Sequence, residues 1–415
     1  MQRWTRLALL AAAAALIAGC AAIRRPVAPQ VSRAPPSRRA IRRPTSPPLV
    51  SLAHARIALL LPVTGPLAEA GASVRDGFLT AYYQMVAQRR PTVRVYDTAA
   101  DSVADLIARA TRWRANLIVG PLTRQNVAAA AVDPQARPPV LALNFLPAGS
   151  HAPPRFFQFA LSPTAEARMV ARRVLADGHR EGIAIVPQGQ WGTRVLNAFA
   201  RQLQAGGGRL LAVARIDTAR ADYSGPIERA LLINQSLGRL RRLESLLGVR
   251  LAFTLRRRED VQFIFTPAPA GVERLLLPQL RFYYAGGIPD YSISDAFVPD
   301  PAANQGLNGL RFPSTPWMLG GSLADAVREA VAQAWPASGP DQGRLFAFGF
   351  DADRLAMALL RTERPDTLDL NGLTGRLTLA PDGRIHRRLI WARLENGETR
   401  ILPARQWLAP RPEAQ

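Results

Sequence analysis

RIALLLPVTGPLAEAGASVRDGFLTAYY, residues 56–83, decides the fold. Residues 57–61 are five apolar side chains in a row, the length of a strand, and a run without polar alternation belongs to a strand covered on both faces. Pro62 and Gly65 then break the chain, and Pro66 sits where a first helical residue tolerates proline. Leu67, Ala70, Val74, Phe78, Ala81, Tyr82 and Met85 follow at three- and four-residue spacing, the signature of a helix with one buried stripe. Strand, tight turn, amphipathic helix is the repeating unit of an α/β protein.

The unit recurs downstream. Strands are predicted at 93–96, 117–119, 140–143 and 156–160, with helices at 103–113 and 123–132 between them. A second series follows, with helices at 164–177 and 193–204 and near 272–280, and strands at 183–186, 210–213, 261–265 and 281–284. Alternation of this kind implies parallel pairing with right-handed crossovers. Two series in about 350 residues exceed one ordinary sheet, so two lobes are expected. Residues 227–258 read as one long helical stretch rich in arginine (239, 241, 242, 250, 256–258), either a solvated basic insertion or a partner-docking element. Near the end, 373–379 and 387–394 read as two strands joined by the Asp382-Gly383 turn.

Upstream, the chain opens with Arg3 and Arg6, a Leu/Ala run over 7–16, and Ile17-Ala18-Gly19-Cys20. A charged start, a short apolar core and small residues before a cut make residues 1–19 a secretory signal peptide, too short to span a bilayer. The closing tetrapeptide resembles the lipobox of bacterial lipoproteins, which implies that Cys20, the chain's one cysteine, carries lipid. Several acyl chains anchor a protein stably where a single one is marginal. Ala21, in place of the aspartate that favours inner-membrane retention in such lipoproteins, points to the outer membrane, facing the periplasm. Residues 20–55 are Pro/Arg-rich and contain no acid, which predicts a disordered tether reaching on the order of 100 Å if extended.

The net charge of +22 does not make a nucleic-acid binder. All 53 basic residues are arginine; lysine is absent, which points to a GC-rich coding bias. Nine of the arginines fall in residues 1–55, leaving 22 − 9 = +13 for the remainder, and no nucleic-acid-binding motif is present. Four scattered histidines give no metal-ligand spacing, no nucleophile elbow appears, and no cofactor is expected. Glu259-Asp260 and Asp351/Asp353 are the carboxylate pairs, read as exposed ion-pairing groups. Phe282-Tyr283-Tyr284 reads as a half-buried strand, with a partner-binding patch as the alternative.

Eight blocks carry a resemblance. They are the opening 57–83, LIVGPLTRQNVAA (117–129), FFQFALSPTAEAR (156–168), RRREDVQFIF (256–265), QLRFYYAGGIPDYS (279–292), LNGLRFPSTPWML (307–319), FAFGFDADRLA (346–356) and GLTGRLTLAPDGRIHR (372–387). In this order they resemble the penicillin-binding-protein activator lipoproteins. The first and last blocks alone are shared with the wider type I periplasmic-binding fold; those at 256, 279 and 307 are more particular to the activators. The resemblance implies an α/β, two-lobed type I periplasmic-binding-protein-like domain over 56–408, each lobe a mostly parallel sheet flanked by helices. Lobe 1 would take 56–160 and 290–362, lobe 2 161–289 and 363–408. It also implies a non-enzymatic regulator of peptidoglycan synthesis that contacts a bifunctional class A penicillin-binding protein, close to peptidoglycan. Familiar members carry a helical-repeat domain where this sequence has its Pro/Arg-rich stretch.

Ligands of open α/β sheets lie beyond the carboxyl ends of the strands. Those positions offer Thr64, Gly65, Thr123 and Asn144 on one lobe and Trp191, Asp290 and Tyr291 on the other. They could line a cleft for an amino acid or peptide, which would make the protein a solute receptor; equally, Thr, Asn and Gly at helix starts are ordinary caps and turns. A wall hydrolase is the third reading, resting only on the carboxylate pairs.

Overall fold

The computed structural model describes residues 51–132, 137–147, 149–334, 343–362 and 365–405. The expected signal peptide, Cys20 and all but the last few residues of the expected tether lie outside them. Order begins before the expected boundary at 56, since Leu52 and Ala55 are already buried.

The first lobe is built on β1 (Arg56–Leu61), β2 (Thr92–Asp97), β3 (Leu117–Val119), β4 (Val140–Ala142) and β5 (Phe156–Gln158), in spatial order β2-β1-β3-β4-β5 and all parallel. Its helices are α1 (Ala68–Gln84), α2 (Val103–Arg112) and α3 (Arg124–Ala130). Residues 57–61 of β1 are fully buried because both faces are covered. Ile57, Leu59 and Leu61 point into one core, whereas Ala58 and Leu60 point into the other, with Leu106 and Val127. Burying each such leucine contributes roughly 1.5–3 kcal/mol.

The second lobe holds α4 (Pro163–Ala176), β6 (Glu181–Pro187), α5 (Gly189–Ala205), β7 (Arg209–Ile216), α6 (Ser224–Ala230), α7 (Ile233–Leu247), β8 (Phe263–Phe265), α8 (Ala270–Phe282), β9 (Asp290–Tyr291) and β10 (Arg311–Ser314). After α9 (Pro316–Leu319) the chain adds α10 (Ser322–Ala334), α11 (Arg344–Arg361), β11 (Asp369–Gly372), β12 (Gly375–Leu379), β13 (Ile385–Arg388), β14 (Ile390–Glu395) and β15 (Glu398–Ile401). The second sheet runs β15-β14-β10-β9-β8-β6-β7, parallel from β7 to β10 and antiparallel where β14 and β15 join its edge. β11, β12 and β13 form a small antiparallel sheet.

The lobe boundaries differ from the expected ones. β9 and β10, at 290–314, lie inside the second sheet, not in lobe 1. α10 and α11 pack on the first lobe, where they were expected, through Val327, Phe348 and Leu355, but the β12–β13 hairpin, expected in lobe 2, packs there as well through Leu377 and Ile385. Only β14 and β15 return to lobe 2. The run read as one strand at 387–394 is two: it changes sheet at Leu389. Residues 281–284 are not a strand: Arg281 and Phe282 close α8 and Tyr283 and Tyr284 turn the chain out of it, with Tyr283 buried and Phe282 and Tyr284 exposed. The stretch 227–258 is broken at Leu232 and stops at Gly248, both in the left-handed conformation; 251–258 has no regular structure.

α1 and α11 approach unusually closely. A Cβ on Gly77 would lie 1.9 Å from the Phe346 carbonyl, and one on Gly349 1.9 Å from the Val74 carbonyl. Glycine at these two positions is what lets the helices meet backbone to backbone.

Candidate functional site

The first-lobe candidates are each engaged within their own lobe. Thr64 Oγ1 donates to Asp97 Oδ2 at 2.6 Å, and the Val63 and Ala99 amides donate to Asp97 Oδ1 at 2.9 Å. The Thr64 hydroxyl, with these amides, holds the Asp97 carboxyl down to about 2. Gly65 turns the chain with φ of 74° before α1. Thr123 is the N-cap of α3, its hydroxyl accepting from the Asn126 amide at 3.2 Å. The Asn144 amide donates to the Leu122 carbonyl at 3.0 Å, and its oxygen accepts from the Phe145 amide.

The second-lobe candidates do not complete a cleft either. Trp191, half-buried on α5, packs against that lobe's core. Tyr291 is fully buried; its hydroxyl donates to Asp177 Oδ2 and accepts from Arg311 Nη1, both at 2.8 Å. Burial raises its phenol above the ordinary value. Asp290 has Oδ1 buried with no hydrogen-bond partner among the described residues, and burial pushes its carboxyl up to about 7. Both expectations that these two residues face a cleft are therefore corrected: a two-residue strand in the middle of a sheet has its neighbours on both sides, which buries Tyr291 completely and the Asp290 Oδ1 atom with it, while Asp290 as a residue stays half-buried.

What the lobes do share is a buried joint. On α4, Glu166 Oε1 accepts from Arg387 Nη2 of β13 at 3.1 Å, and Oε2 accepts from the Ser294 amide at 3.1 Å. Both charged side chains are over nine-tenths buried. Burial pulls the Arg387 guanidinium below its ordinary value, opposed by the adjacent Glu166 carboxylate. Arg344, the first residue of α11, adds bonds to the Asp295 carboxylate and to the Ser294 and Phe297 carbonyls. Removing one member of a buried pair leaves an uncompensated charge, at a cost of roughly 3–5 kcal/mol, so these contacts resist separation of the lobes.

Asp351 and Asp353 are buried, not exposed ion-pairing groups. Asp351 accepts from the Leu373 and Thr374 amides at 2.8 and 2.7 Å and from the Thr374 hydroxyl. Gly372 lies against that carboxylate; a Cβ there would come within 2.4 Å of Oδ2. Two sequence blocks, 346–356 and 372–387, are thus one structural unit, in which the aspartate ties down the turn that launches the hairpin. Asp353 Oδ1 has no partner among the described residues, and burial pushes its carboxyl up to about 8. In lobe 2 Glu273 is likewise buried, bonded to the Ser292 hydroxyl at 2.9 Å, with burial raising its carboxyl well above the usual range. Asp260 pairs with Arg258, as expected of an exposed carboxylate. Glu166 and Arg387 were both inside resembling blocks, but their partnership spans more than two hundred residues and has no local signal.

Comparison with known proteins agrees with this architecture. A family model described as "LppC putative lipoprotein" matches residues 49–397. Penicillin-binding protein activator LpoA of Photobacterium profundum is 28% identical over 328 residues, covering 78% of this chain and 53% of that protein. LpoA of Klebsiella pneumoniae is 30% identical over 327 residues, covering 75% and 44%. The chain spans about half the length of the curated relatives it matches. Among solved structures, the LpoA C-domain from Haemophilus influenzae, described as a regulator of PBP1A, superposes with a TM-score of 0.63 at 23% identity, over 84% of this chain and 100% of that one. Full-length LpoA of the same organism gives 0.65 at 24%, over 86% and 60%. A "putative branched-chain amino acid ABC transporter" from Chromobacterium violaceum gives 0.60 at 24%, over 82% and 100%. The fold is that of the periplasmic-binding proteins. Among the described residues no helix is long and apolar enough to cross a membrane.

Proposed function

The chain belongs to the LppC lipoprotein family, and from that premise we propose that it is an outer-membrane lipoprotein, anchored through Cys20, that binds and activates a bifunctional class A penicillin-binding protein. It acts by protein contact, without chemistry of its own. The observation that carries this reading over a solute receptor is the state of the cleft rim. Thr64, Thr123 and Asn144 spend their polar groups on caps and turns of lobe 1, while Glu166 and Arg387 fasten the lobes through a buried pair. A receptor needs free polar groups converging on its ligand and lobes that close on it.

Equilibrium binding between the purified full-length protein and the class A penicillin-binding protein of the same organism tests the reading. A saturable complex is expected; no binding at any salt concentration refutes it. A melting-temperature screen across amino acids and short peptides separates the receptor reading, since a ligand at a hundred times its Kd would add about 2.7 kcal/mol. A flat screen is expected.

A further inference from the structure

A groove of about 840 Å³ runs along the joint between the lobes, between α4, the β12–β13 hairpin and the start of β14. Of its fourteen lining residues six are arginine (172, 173, 376, 387, 388 and 405) and none is acidic, against 53 arginines in 415 residues for the whole chain. The concentration exceeds what an arginine-rich composition supplies.

The hairpin explains one wall. Arg376 and Arg388 are directly opposite across the strands, with Thr378 and His386 the next pair on the same exposed face. Like charges opposite each other disfavour the sheet. Asp369 neutralises Arg376, Asp177 serves Arg173 and Arg405, and Glu166 serves Arg387. Arg388 and, on the α4 wall, the exposed Arg172 have no carboxylate within ion-pairing distance among the described residues. A smaller cavity of about 170 Å³ continues the groove past Arg168 and Arg384, and the two carboxylates in its lining, Glu166 and Asp382, are already paired with Arg387 and Arg384. Burial, and the like charges of Arg172 and Arg384, pull the Arg168 guanidinium below its ordinary value. Between the cations the lining is mostly apolar, with Met169, Leu389, Trp391 and Leu402 beside the polar Thr378 and His386.

We propose that this groove is a docking site for an extended acidic peptide segment of the partner protein, its carboxylates meeting Arg172 and Arg388 on opposite walls and its apolar side chains lying between. The partner's identity rests on the activator reading; the peptide chemistry does not. Arginine forks recognise carboxylates bidentately. The cations are spread along two walls instead of converging on a point, which suits several carboxylates on one strand better than a single phosphate. The concave shape with an apolar lining does not match a flat lipid surface.

The test uses the full-length protein, an Arg172→Glu/Arg388→Glu double variant, and an Arg241→Glu/Arg242→Glu control on α7, all checked for equal melting temperature. A fluorescein-labelled alternating Glu-Leu peptide should bind the wild type and the control with salt-sensitive affinity, and the double variant at least tenfold more weakly. Affinity for the penicillin-binding protein should fall in parallel. Should the wild type bind that protein while the double variant binds it and the peptide within twofold of wild type, the groove assignment is wrong and the activator reading stands. Should the wild type bind the peptide but not the protein, the activator reading fails and the groove survives. If the double variant loses binding to anionic phospholipid vesicles or to soluble peptidoglycan fragments while peptide binding is unchanged, the groove serves that ligand instead, and the proposal is overturned.

Discussion

α1 with α11, and α6 with α7, are two helix pairs written in similar residues and put to opposite uses. In the first pair Val74, Phe78, Phe348 and Leu355 are sealed in the core, and Gly77 and Gly349 bring the two backbones into contact. In the second, α7 buries Ile233 and Ser236 and leaves Leu243, Leu246 and Leu247 exposed, with Gly238 facing open space. A 3.6-residue apolar spacing therefore marks a helix without saying whether its stripe is covered. The same residue type, glycine, is a packing requirement in one pair and a weakness in the other.

Gly349→Val breaks the contrast most forcefully. Its Cβ would collide with the Val74 carbonyl, backbone that can yield only by moving α1, so a loss of about 3 kcal/mol or more is expected in urea unfolding. A loss under about 1 kcal/mol would mean the helices are not in contact there.

Asp353→Asn, also on α11, should stabilise the protein in a pH-dependent way. The Asp353 carboxyl titrates at about 8 in the fold against 3.8 when unperturbed. Below the lower value both states are protonated and no cost of burying a charge arises. As pH rises from about 4 to 8 the unfolded chain loses its proton first, so wild-type stability falls across this window and levels off above it. Asparagine does not titrate, so its melting-temperature advantage should grow from pH 4 to pH 8. A difference that is constant with pH contradicts the burial of this carboxyl.

In α7 the effects are small and opposite in sign. Gly238→Ala should add about 0.5–1 kcal/mol, since nothing stands within 4 Å of the new methyl group and alanine is the better helix former. Leu246→Glu, at 75% exposure, should change stability by less than about 0.5 kcal/mol. A clear destabilisation by either variant would show that α7 is covered.

The sequence made the parallel core legible because continuous apolar runs such as 57–61 and regular helical stripes such as 67–85 carry their own evidence. Where the chain changes lobe it left no mark. Apolar and polar residues run on through Leu389, so a strand that switches sheets reads as one strand. The place of β9 and β10 in the second sheet depends on neighbours far away in the chain. Asp351 and Asp353 read as exposed by residue type; the amides that hold Asp351 come from a turn some twenty residues later, invisible to any local pattern. Phe282 and Tyr284 carry aromatic strand preference, but α8 continues through Phe282 and ends in a left-handed Tyr284. Of the cleft candidates, the spacing located turns and caps correctly in Thr64, Gly65 and Thr123, and it could not say that their hydrogen-bonding groups are already taken.

The central claim is that this periplasmic-binding fold has become a surface for a protein partner. Glycan polymerisation and peptide cross-linking by the purified class A penicillin-binding protein, measured with and without the full-length chain, address it most directly. Both rates should rise in a saturable way that added amino acids do not alter; unchanged rates at saturating concentration, or a rise only when a small solute is supplied, would contradict it.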